Sequence, residues 1–205
     1  MNRKHGIFPV LLAGLVVLLV GCAQYVIVSG RQSLSEYEFE VTVPEGWHRA
    51  MHAVGQGAPG GVPETTEVPE GLVLTRDGLL LQQIRVVRVA ADKELKFTKR
   101  RFDQKLPPHE LAEIELDDHR SNPNVYNFTL EENVPATVGG RQGFRLVYVW
   151  TTKDGYRLKR IHYGFMEGKW VYRLIYQAAA RHYFDRDLPV FEQLRESFRL
   201  LTKPA

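Results

Sequence analysis

One stretch constrains the fold more than any other: "GFRLVYVWTTKDGYRLKRIHYGFMEGKWVYRLIYQA", residues 143–178. Three apolar runs are separated by Asp154-Gly155 and Glu167-Gly168, turn pairs that join antiparallel strands into a meander. Side chains alternate across a strand, so each run has two faces. Phe144, Leu146, Tyr148 and Trp150 fall on one face of the first run, and Val147 and Val149 on the other with Arg145. In the third run Trp170, Tyr172, Leu174 and Tyr176 oppose Val171 and Ile175. A sheet wetted on one side would alternate more cleanly between apolar and polar. This sheet is therefore expected to be covered on both faces.

Candidate covers follow from helical spacing. "LPPHELAEIELDDHRSN", residues 106–122, has prolines followed by helix formers, with Leu111 and Ile114 on one face. In "DLPVFEQLRESFRLL", residues 187–201, Phe191, Leu194 and Phe198 recur at three- and four-residue spacing. Asp187 reads as the cap of that helix and Pro189 as part of its first turn. "YEFEVTVPEGW" alternates as a strand that Pro44, Glu45 and Gly46 close, and "LVLTRDGLLLQQIRVVRVA" reads as two strands around an Asp77-Gly78 turn. The expected fold class is α+β, an antiparallel sheet between helices.

The N-terminus bears on location. Arg3 and Lys4 precede an apolar run from Ile7 to Val20, the layout of an export signal. Leu19, Val20, Gly21 and Cys22 resemble a bacterial lipobox, which implies cleavage before Cys22 and acylation of its sulfur. Each buried methylene of an acyl chain adds about 0.8 kcal/mol to anchoring. Ala23 stands where an aspartate typically signals inner-membrane retention. The expectation is therefore a lipid-anchored protein of the cell envelope, in the outer membrane facing the periplasm. The alternative is an uncleaved membrane helix, because no charge occurs from Gly6 through Gly30.

This reading divides the chain into a signal peptide at 1–21, an acylated cysteine with a short polar tether at 22–36, and one domain at 37–205. A Gly- and Pro-rich loop at 55–71 lies within the domain. Loss of Arg3 and Lys4 with the signal brings the basic residues from 27 to 25, against 24 acidic ones. A nearly neutral exported domain is a poor nucleic-acid binder. With Cys22 acylated, the domain has no other cysteine, hence no disulfide.

Residues 39–47, "FEVTVPEGW", the meander from Phe144 to Gln177 and "FEQLRESFRL" at 191–200 together resemble the PsbP-like superfamily, which includes the Mog and DcrB proteins. The resemblance implies an α-β-α sandwich. It also implies a role in binding or stabilising other proteins, with no shared catalytic set.

Chemistry-bearing residues are sparse. Ser121 and Ser197 are the serines beyond the tether, and neither lies in a Gly-x-Ser-x-Gly elbow. No nucleotide loop and no cofactor motif occurs. His48 and His52 are four apart but lie off a helix, where that spacing aims two rings less readily at one metal. Glu113, Asp117 and His119 form an acidic knot, read as a solvated helix face. His162 sits in a strand beside Arg160. Lys96, Lys99, Arg100 and Arg101 crowd one stretch with Phe97 and Phe102, a candidate contact for anionic surfaces. These features favour a non-catalytic envelope protein with a protein partner or envelope component. The alternatives are a metal-dependent enzyme using His48 and His52 or His162, and a purely structural lipoprotein.

Overall fold

A computed structural model describes residues 25–50 and 71–201. Cys22, His52, the lipobox and residues 55–70 of the Gly/Pro-rich segment lie outside the described residues; Gly71 opens a strand. The strands are β1 (Tyr25–Leu34), β2 (Phe39–Ala50), β3 (Gly71–Thr75), β4 (Gln82–Ala90), β5 (Tyr126–Val138), β6 (Arg141–Thr151), β7 (Arg157–Glu167), β8 (Trp170–Ala179) and β9 (Arg199–Leu200). The helices are α1 (Pro108–Arg120) and α2 (Tyr183–Ser197). Among the described residues all nine strands join one antiparallel sheet in the order β1-β2-β3-β4-β8-β7-β6-β5, with β9 on β2.

The meander forms as its turn residues dictate, with Gly155 and Gly168 at positive φ. Its faces separate as the alternation predicts. Phe144, Leu146, Tyr148 and Trp150 pack with Leu111, Ala112, Ile114 and Leu116 of α1. Val147, Ile161, Tyr172, Leu174 and Tyr176 pack with Phe184, Phe191 and Leu194 of α2.

Four local expectations are corrected. Residues 29–36 are not a free tether: they complete β1 and a 3-10 turn at Ser35–Tyr37. A polar sequence suffices there because an edge strand is held mainly by its backbone ladder to β2, with Leu34 buried opposite Phe39. Pro44, Glu45 and Gly46 do not end β2. They form a bulge opposite the Val28/Gly30 register shift, and pairing resumes through Ala50.

The Asp77-Gly78 turn is wider than a tight hairpin. Leu74 pairs with Ile84, so Leu79, Leu80 and Leu81 belong to the connection. Thr75 Oγ1 fixes that loop by donating to Gln82 O at 2.8 Å and accepting from Gly78 N–H at 3.0 Å. Asp187 does not cap α2, which starts at Tyr183 and carries Pro189 inside it. The apolar stripe extends back to Phe184, and the Tyr176 hydroxyl holds that turn by donating to Tyr183 O at 2.8 Å.

Candidate functional site

The face of the sheet that carries α1 is not finished by apolar packing. Across it runs a row of polar side chains: Arg85 on β4, Arg173 and Gln177 on β8, Arg160 and His162 on β7, and Tyr148 on β6. Register brings them together. Arg85 and His162 both pair with Ile175 from opposite sides, and Arg160 pairs with Gln177 on one side and Tyr148 on the other. Adjacent strands are about 4.8 Å apart, so long arginine side chains span such neighbours.

The partners are unevenly distributed. Arg160 is well bonded: Nε reaches Gln177 Oε1 at 3.2 Å, Nη2 donates to the same oxygen, and Nη1 reaches Tyr148 OH at 3.1 Å. Its Nη1 also lies 3.4 Å from His119 Nδ1. A guanidinium only donates, so that contact makes Nδ1 the acceptor and leaves the proton of neutral His119 on Nε2. Arg173 Nε donates to Glu115 at 2.7 Å, and Glu115 is the carboxylate bound into the row. Four buried atoms here have no partner: Arg85 Nε, Arg173 Nη2, His119 Nε2 and His162 Nε2.

Electrostatics follow from this crowding. Burial lowers the Arg85 pKa to about 10, with the charges of Arg160 and Arg173 adding to the effect. Burial pushes Glu115 above the usual carboxylate range, against the pull of Arg173. His162 is held well below the usual imidazole range, first by burial and then by Arg173, Arg160 and His119. His119 is lowered in the same way, by burial and Arg160.

The second feature is an open groove of about 1040 Å³ at one end of β6, β7 and β8. Its rim carries Leu80 and Leu81 from the β3–β4 loop and Tyr156 from the β6–β7 turn, which are 42%, 37% and 57% exposed. Arg181, His182 and Asp185 at the start of α2 complete it. On its floor Lys159 pairs with Glu131 at 2.8 Å and lies over the Phe184 ring.

The residues singled out in the sequence are dispersed. His48 lies on β2 between Ile27 and Thr75. His162 lies on β7, with β3, β4 and β8 between them. His162 packs edge-on against Phe144 and is surrounded by cations, a setting that repels a metal ion. Among the described residues no group of three or more His, Cys, Asp or Glu is placed to hold one. The acidic knot splits. Glu113 accepts from Asn133, Asp117 pairs with Arg100, and His119 turns inward against Tyr148 and Trp150. Ser197 Oγ accepts Thr42 N–H at 2.8 Å and donates to Leu194 O at 2.6 Å, stitching α2 to β2 between β9 and β3.

In the basic stretch, Arg100 and Arg101 pair with Asp117 and Glu94, and Lys96 lies over the Phe97 ring. Phe102 is in the core, so it cannot serve as a surface aromatic. Asp118 Oδ1 ties the segment to α1 by accepting from Phe97 N–H, Thr98 N–H and Thr98 Oγ1. Lys99 stays exposed, at φ 59°. Sequence reasoning misses Arg85 and Arg173, because each is a single charge flanked by apolar residues of its strand, with Arg88 the other charge on β4. Their spacing along separate strands carries no sign that the sheet will join them.

No protein-family model matches the chain, and no curated protein matches it in sequence. Solved structures do align. The solution structure of cyanobacterial PsbP (CyanoP) from Synechocystis has a TM-score of 0.51 and 14% identity, over 88% of this chain and 95% of that one. The Ran-binding protein Mog1p of Saccharomyces cerevisiae aligns at 0.49 with 9% identity, over 86% of this chain and 97% of that one. LpqN of Mycobacterium tuberculosis, described as involved in cell envelope biogenesis, aligns at 0.44 with 13% identity, over 80% and 83%. The CyanoP likeness shows the fold, a PsbP-like antiparallel sheet with two helices, and carries nothing about ligands or partners.

Proposed function

We propose that this chain is a lipid-anchored, non-catalytic protein of the cell envelope that binds a protein partner through the groove at the end of β6, β7 and β8. In this reading the two-sided sheet with one helix per core cluster is the α-β-α sandwich that the sequence suggests. The carrying observation is the apolar rim: Leu80, Leu81 and Tyr156 stand exposed together around a groove of about 1040 Å³. Clustered exposed apolar side chains with a polar surround are the mark of an interaction surface. The fixed hydroxyl of Ser197 supports a non-catalytic role.

Anchoring sharpens the geometry. Tyr25 opens β1 three residues after Cys22, a distance of at most about 11 Å for an extended chain. An acylated Cys22 would hold the edge of the sheet close to the lipid, with Ile27 75% exposed beside it. Lys99 would add electrostatic attraction to anionic head groups.

Two measurements test the reading. A photo-crosslinking residue at position 156, in membranes of the native host, should give a discrete adduct with a protein of the envelope. That adduct should disappear in a Leu80→Asp, Leu81→Asp variant that still folds. Adducts that are diffuse, or that survive the double substitution, refute the groove. Intact mass of the native protein should show a diacyl or triacyl Cys22; a retained leader with a free thiol refutes the anchor.

A further inference from the structure

The polar row under α1 has a property that the protein-binding reading does not use: it is a partly buried site with more cations than anions. Arg85, Arg160 and Arg173 face one another across three adjacent strands, and Glu115 is the carboxylate bonded within the row. That carboxylate takes Arg173 Nε and leaves Nη2 unmatched, while Arg85 Nε has no acceptor at all. Buried polar groups are ordinarily bonded, and like charges held together in low dielectric are costly. An arrangement of this kind is relieved by an anion that brings its own acceptors.

We propose that Arg85 and Arg173 clamp the phosphate group of a small ligand, with Arg160 as the third positive charge. Guanidinium forks match the oxygens of a phosphate in bidentate fashion. A tetrahedral phosphate presents more acceptors than a carboxylate, and the row has unmatched donors on two separate strands. His162 lies on β7, level with Arg85 through Ile175 and on the far side of β8 from it, and its Nε2 is also unmatched. Each arginine keeps some exposed surface, while the unmatched Arg85 Nε and Arg173 Nη2 are themselves buried. Glu115 acts as a positioning residue, holding Arg173 from the α1 side.

The test uses the full-length chain in detergent, with thermal unfolding and isothermal titration at constant ionic strength and pH 7.5. One arm uses inorganic phosphate and the other glycerol 3-phosphate, which separates free phosphate from an esterified group. Saturable binding in either arm, with a rise in Tm, is the expected result. Arg85→Gln should weaken half-saturation at least tenfold, and Lys153→Gln, in the exposed β6–β7 turn, should leave it unchanged. If Arg85→Gln fails to fold, Arg85→Lys replaces it; loss of the bidentate fork with the charge retained should still weaken binding. The proposal falls if neither compound binds saturably, or if folded Arg85 variants bind as tightly as the parent.

Discussion

The two faces of the sheet are built from the same strands and end in different states. On the α2 face, rings stack in series: Phe184 on Tyr176, Tyr176 on Phe191, and Phe198 against Phe39, Phe165 and Tyr172. Tyr163 OH bridges Arg145 and Glu192 at its margin, and Gln82 Oε1 is a buried atom there without a partner. On the α1 face the same alternation places arginines and histidines among Tyr148, Trp150 and Phe144, and four polar atoms stay unmatched. One face maximises burial. The other accepts an electrostatic cost, which the proposed phosphate would offset.

The largest expected effect lies on the finished face. Phe191→Ala removes a fully buried ring that contacts Tyr163 and Tyr176, and should cost about 3–5 kcal/mol by urea unfolding. Asp187→Ala comes next. Asp187 is 1% exposed and accepts from Gln82 Nε2 at 2.7 Å and from Arg186. Removing it takes one acceptor from each donor, while both keep Asp77, for a loss of about 2 kcal/mol. Glu115→Gln on the α1 face should cost less, about 1–2 kcal/mol, because the bond to Arg173 can persist while the charge is lost. If Glu115→Gln costs as much as Phe191→Ala, the two faces are equally committed to stability and the contrast fails.

Acid sharpens the contrast further. His119 and His162 are bases with pKa values well below the usual 6.5 in the folded state. Between the folded and unfolded values the unfolded chain binds more protons, so stability rises with pH there. Their contribution is complete above about pH 6.5 and is lost as pH falls towards the folded values. Tm should therefore drop between pH 7 and pH 5, and His162→Leu should flatten the slope. Acidification below about pH 4 should cost a further increment as Asp77, lowered chiefly by its bond to Arg186, takes up a proton. A Tm independent of pH from 7 to 5 would show that the imidazoles are not held neutral by burial.

The sequence by itself determined the meander, both helices and which side chains of β6 and β8 share a face. Those signals are local: turn glycines, a period of two, and a period near 3.6. It did not reveal the two edge strands as plainly. β1 is polar enough to read as a tether, and β5 carries Pro135 and mixed charges. An edge strand draws its stability from a ladder on one side, and that asks little of its own composition. The candidate site was the least legible part. His162 and Arg160 were visible as neighbours, whereas Arg85 and Arg173 became part of the same cluster only when β4 and β8 paired. Tertiary structure alone decided which isolated charges would meet, because strand order is set by pairing between segments far apart in the chain, and no local period encodes it.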